Sequence, residues 1–251
     1  MISLLRAELL KTRKRAIGWV LLAITALTIA LVMLNSALQD PSHVTYAFPG
    51  GLLQVGAVLP LLGVLVLIIL GATAVGSEYG YDTWKNLLVR RPGRVVFILS
   101  KWLSLVVVIG LGLVVLLLWA QAVGVVLDAA LRLRSGAAGP QFGKVMLLLL
   151  LQAPAPLVAG SFAILGAVIG RSSVAGIIAG ITWFIADALL GAVLQPASLS
   201  VALHILQGQV KGIAVPGLFV VIASLTVAFY LIVPVAVAAI IFRQRDMLGA
   251  G

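Results

Sequence analysis

Residues 145–170 read VMLLLLLQAPAPLVAGSFAILGAVIG, residues 171–173 are Arg-Ser-Ser, and residues 174–194 read VAGIIAGITWFIADALLGAVL. A helix needs about 20 apolar residues to cross a hydrocarbon core about 30 Å thick, and each run has that length. A three-residue connection leaves no room for a soluble excursion, so the two runs form a tight antiparallel hairpin of membrane-spanning helices. The bilayer, not a buried core, is the solvent for most of this chain.

Working outward, similar apolar segments recur along the 251 residues, of which 63% are hydrophobic and 10% charged. A soluble domain needs far more polar surface than this, and the mean hydropathy of +1.23 agrees. Six spans are expected, at about 16–37, 52–76, 95–127, 145–169, 174–194 and 216–242. The single domain is therefore the whole chain, 1–251, an all-α integral membrane fold of six transmembrane helices. The third run exceeds one crossing, so it must tilt or project beyond the membrane. The first run is longer than the roughly 7–15 residues of a signal-peptide core and follows a long basic segment, so it reads as a retained span.

Three shorter segments complete the expected architecture. Residues 1–15 place Ile2, Leu5 and Leu9 at helical spacing, with Arg6, Glu8, Lys11, Arg13 and Lys14 on a polar side. That pattern suits an N-terminal interfacial helix. Residues 77–91 suit a short helix between the second and third spans, ending before Pro92 because proline disfavours helical geometry in its predecessor. Leu199, Leu203, Leu206 and Val210 predict an outer re-entrant or interfacial helix before the last span, too short to cross.

The net charge of +10 does not indicate nucleic acid, because the basic residues flank apolar runs. With the N-terminus inside, thirteen of the 17 Lys and Arg residues lie on the cytoplasmic side. Only Arg132, Arg134, Lys144 and Lys211 lie outside. The positive-inside rule therefore puts both termini in the cytoplasm. Absence of cysteine excludes disulfides and thiolate metal sites.

Chemistry-bearing residues are few. The connection after the second span holds Glu78 and Asp82, the aromatics Tyr79, Tyr81 and Trp84, then Lys85, Leu87 and Leu88, then Arg90, Arg91 and Arg94. Aromatic residues among charges suit either the membrane interface or a protein partner. Asp187 is the only acidic residue inside a span. It either hydrogen-bonds a neighbouring helix or outer water, or it lines a translocation path. Pro154 and Pro156 make the fourth span the best candidate for an unwound segment. Gly166/Gly170 and Gly176/Gly180 have the spacing of close helix packing, which within the chain would join the fourth and fifth spans. His43 and His204 have no second ligand nearby, no paired carboxylates share a span, and no nucleophile elbow is present. The nearest approach to a phosphate-binding loop is Gly143-Lys144, which has Ala138 for the first glycine and Val145 for the hydroxyl.

Glu78, Gly80, Thr83, Leu87-Leu88, Arg91-Pro92-Gly93-Arg94 and Lys101, set in this six-span layout, resemble the pattern of ABC-2-type transporter permeases. The resemblance covers essentially the whole chain. It implies two permease chains facing one another, each docked on a cytoplasmic ATP-binding subunit that carries ATP and magnesium. It implies that the helix at 77–91 is a coupling helix. Glu78, Tyr79, Tyr81, Asp82, Thr83, Trp84, Lys85, Leu87 and Leu88 would then form the ATPase interface. Glu78 would orient that helix, and Trp84 and Leu87 would fill an apolar cleft. Export across the plasma membrane, with membrane lipids around the bundle and no cofactor in this chain, completes the expectation. An ATP-independent transporter or channel, or a membrane scaffold, would need the same apolar spans.

Overall fold

The computed structural model describes residues 2–39, 46, 48–80, 94–131, 141–193 and 197–244. All its regular elements are helices, as the bilayer demands, because a helix satisfies every backbone N–H and C=O within its own segment. In order they are α1 (Ile2–Lys14), α2 (Ala16–Gln39), α3 (Gly50–Val58), α4 (Val64–Gly80), α5 (Arg94–Leu131), α6 (Phe142–Leu150), α7 (Pro154–Gly170), α8 (Ser173–Val193), α9 (Leu199–Lys211) and α10 (Gly217–Gln244). A π-helical stretch, Leu59–Gly63, joins α3 to α4. Among the described residues six helices are long and apolar enough to cross a membrane: α2, the continuous Gly50–Gly80, α5, the pair α6–α7, α8 and α10. No strand occurs among them.

Proline explains both irregular spans. Pro60 has no N–H, so the i→i−4 ladder of the second span fails there and the backbone widens into the π-helical stretch. In the fourth span the helix stops at Leu150, three residues turn, and Pro154 opens α7 at its first position, where the missing N–H costs no bond. The 38 residues of α5 run about 57 Å at 1.5 Å per residue, well beyond a single crossing.

The α7–α8 hairpin is as tight as the three-residue connection requires. Arg171 closes α7 in the left-handed conformation (φ 52°), and the Ser172 hydroxyl accepts the Ala175 N–H at 3.1 Å. Small residues let the helices touch. A Cβ at Gly176 would meet the Ala163 carbonyl oxygen at 2.7 Å and the Ala72 methyl at 2.8 Å, and one at Gly71 would meet the Gly160 carbonyl oxygen at 2.6 Å. The two glycine pairs thus pack α7, α8 and α4 within one chain. This makes α7 the centre of the bundle, with Val158, Ala159, Ala163, Ile164, Ala167 and Val168 all buried.

By contrast α2 is peripheral. It presents Val20, Ile24, Leu27, Leu31 and Leu38 outward, and it touches the rest through α1, α3 and α5. At the end remote from α1, Tyr46 is fully buried. Its hydroxyl donates to the Met33 carbonyl at 2.6 Å, its N–H donates to Asp128 at 3.2 Å, and Gln121 donates to its carbonyl at 3.3 Å. These bonds tie the connection after α2 to α5.

Candidate functional site

Three helices bring charge together at one end of the bundle. On α1, Glu8 and Lys11 lie one turn apart on the face that packs against α5. Glu78 is in the last turn of α4, and Lys101 is in the second turn of α5. Lys101 Nζ donates to Glu8 Oε2 at 2.7 Å and to Glu78 Oε1 at 3.0 Å. Lys11 Nζ donates to the same Glu78 Oε1 at 2.7 Å and lies 3.5 Å from Glu8 Oε1.

The cluster is formally neutral, and three of its four groups are buried, with Lys11 at its exposed edge. Lys101 is 1% exposed, Glu78 3% and Glu8 7%. An ammonium so far from water is tolerated only with matched carboxylates, because its desolvation cost far exceeds that of a surface pair. Lys101 also lies over the Phe97 ring, 5.1 Å from its centroid, and Phe97 stacks on Phe242 of α10. Burial pulls the Lys11 pKa down. The Glu78 hydrogen bond and the charges of Glu8 and Glu78 together outweigh it, so the Lys11 ammonium is held above its ordinary 10.5.

A second clasp lies beside the first. Arg15, the single residue between α1 and α2, donates to Ser77 Oγ at 2.9 Å and to the Thr73 carbonyl at 3.3 Å. Between them, Arg15 and the ion cluster fasten the N-terminal helix to the last two turns of α4. Any displacement of the α4 end must therefore move α1 or break buried charge pairs.

Of the residues expected at the ATPase interface, the structure places Glu78 in this cluster and packs Tyr79 against the adjoining apolar core. Tyr81, Asp82, Thr83, Trp84, Lys85, Leu87 and Leu88 lie outside the described residues. The sequence does not single out Glu8, Lys11 and Arg15 as site residues, and it marks Lys101 only as part of the family pattern. The signal for Lys101 was present: a lysine seven residues into an apolar run needs a counter-ion. For Glu8 the sequence offered only its position on a polar helix face.

Asp187 occupies the opposite half of α8. Its Oδ1 accepts the Leu199 N–H at 2.6 Å and its Oδ2 the Ser200 N–H at 3.1 Å, while Ser198 caps the same helix by accepting the Val201 N–H. The carboxylate therefore satisfies orphan donors at the positive end of α9. Under α9 the Trp183 ring stacks on Phe162 and meets Tyr230 edge-on, and the Tyr230 hydroxyl donates to the Ala197 carbonyl. Pro154 and Pro156 sit in the first turn of α7, just beyond the interruption.

The model of the ABC-2 family transporter protein family matches residues 4–187. No curated protein and no solved structure matches the chain.

Proposed function

The chain belongs to the ABC-2 transporter family, and on that premise we propose that it is the permease subunit of an exporter driven by a separate cytoplasmic ATP-binding subunit. The observation that carries this reading is the buried Glu8–Lys101–Glu78–Lys11 cluster. It couples α1, α4 and α5 at the start of the segment 77–91, where the family resemblance puts the ATPase contact.

In the proposed mechanism the helix at 77–91 docks in a cleft of the ATPase. Glu78 sets its angle, and Trp84 and Leu87 fill the apolar part of the cleft. Closure of the ATPase pair pushes on α4, and the charge pairs pass that push to α1 and α5 as one body. Two copies of the permease, or this chain and a similar one, would face one another around the path. The interrupted fourth span at Pro154 and Pro156 would flank that path, with Asp187 acting on it through the α9 cap. The excess of Lys and Arg, thirteen of 17, supports a cytoplasmic orientation of that end, and the plasma membrane is the proposed location.

Affinity purification of the tagged chain from its native host tests the reading. An ATP-binding cassette subunit should co-purify, and the yield should fall at least tenfold in Trp84→Ala and Glu78→Ala, each checked for intact folding by size-exclusion chromatography. Transport by the lone reconstituted chain without ATP would overturn it in favour of an ATP-independent carrier.

A further inference from the structure

A cavity of about 390 Å³ opens sideways from the bundle between α1, α2, the second span and α5. Its volume falls in the range of roughly 300–1,000 Å³ typical of small-molecule sites. Its walls are almost wholly apolar, with Leu22, Leu67 and Leu116 among them, whereas its mouth carries Thr12 and Arg13 of α1. Trp19 stands at that mouth, held there by a 2.9 Å hydrogen bond from its indole N–H to the Arg13 carbonyl.

Glycine keeps the cavity open. A side chain at Gly112 would meet nothing within 4 Å, and one at Gly18 only the Thr12 carbonyl oxygen at 3.8 Å. From the level of Arg15 to Thr25, which lines the cavity, α2 rises about 15 Å. That is half of a hydrocarbon core of about 30 Å, the depth of one leaflet. Lys11 pairs with Glu78, and Arg15, just beyond α1, with Ser77, whereas Arg13 lines the cavity and is exposed.

The geometry points to a binding groove for one anionic phospholipid, its acyl chain in the cavity and its phosphate at Arg13. Apolar walls one leaflet deep select the chain, and the exposed Arg13 beside them selects the charge. Thr12, Leu70 and Val108 also border a smaller cavity lined by Glu8, Lys11 and Arg15. A seated lipid therefore lies against α1 directly beside its ion pairs. The site needs no ATPase partner, so it goes beyond the proposed function and can stand or fall separately.

The test uses the full chain with Trp19 as its sole tryptophan, in nanodiscs of phosphatidylcholine doped in both leaflets with chain-brominated phosphatidylglycerol or chain-brominated phosphatidylcholine. Both leaflets are doped, so the result does not depend on orientation. Brominated phosphatidylglycerol should quench Trp19 at about fivefold lower mole fraction, the weight of one basic residue at an anionic headgroup. Arg13→Gln should erase that difference. Gly112→Leu should abolish the preferential quenching, while Gly110→Leu, in open space outside the groove, should leave it. Native mass spectrometry of the chain with all its tryptophans, counting retained phosphatidylglycerol in the same glycine variants, gives a second readout. Equal quenching by the two lipids, or equal effects of the two glycine variants, would mean surrounding lipid only and overturn the site. Disulfide formation between two copies of Leu111→Cys, with no quenching, would assign the groove to a second copy instead.

Discussion

Lys101 is the residue whose environment leaves least freedom. A buried ammonium between two carboxylates of different helices gains from both, and removing it leaves two acids facing one remaining lysine. Lys101→Met should therefore lower stability by about 3–5 kcal/mol, as for other broken buried pairs, read as a fall in the thermal midpoint in detergent. Combined with Glu8→Gln it should cost clearly less than the sum of the two single changes, because Lys11 and Glu78 then remain as a matched pair; strict additivity would argue against a shared cluster. Lys11 supplies a pH signature. Its pKa is raised on folding, so its contribution is complete below the ordinary value of 10.5 and disappears as pH climbs through the higher folded value. A fluorophore on α1 should report release of the helix in that alkaline window, and Lys11→Arg should remove the step.

At the scale of elements, the connections carry the information. Arg171 adopts a left-handed conformation that costs a residue with a Cβ about 1–2 kcal/mol, so Arg171→Gly should stabilise the α7–α8 hairpin by about 1 kcal/mol in detergent unfolding. Asp187 illustrates how a buried acid can serve an element. Asp187→Asn gives up charge-assisted bonds worth about 1.5–3 kcal/mol each, and amide hydrogen exchange over 199–204 should rise many-fold. Were Asp187 instead a group that contacts cargo directly, transport would fall while exchange in α9 stayed as it is. Pro154 and Pro156 foretold a weakness in the fourth span. That Pro60 produces a π-helical stretch while Pro154 follows a full interruption depended on what packs beside each.

For the whole molecule, the arrangement puts the most polar machinery at one end and a tight small-residue core in the middle. Because the chain has no cysteine, orientation can be read with single introduced thiols. Arg6→Cys and Arg243→Cys should react with a membrane-impermeant maleimide only after permeabilisation, and Lys211→Cys should react on intact cells. Reversed labelling would invert the proposed topology and, with it, the side from which an ATPase acts.

Six spans, the tight hairpin and the helix over 199–211 were legible in the sequence, because each follows from local quantities: run length, apolar period and turn residues. Membership in a transporter permease family was legible too, since Glu78, Thr83, Leu87-Leu88 and Arg91-Pro92 sit at fixed spacing along the chain. Hydropathy by itself could not say which charges meet. Glu8 and Lys101 are separated by 93 positions and Lys11 and Glu78 by 67, and no periodicity links residues that far apart. Their pairing depends on how Gly71, Gly160 and Gly176 let α4, α7 and α8 close together, and on where α1 lands once that core has formed. Run length and apolar period therefore suffice for a six-helix membrane bundle. Only its tertiary packing turned a basic leader helix into a clamp on the end of the second span, because desolvated charges must find one another wherever the core brings them.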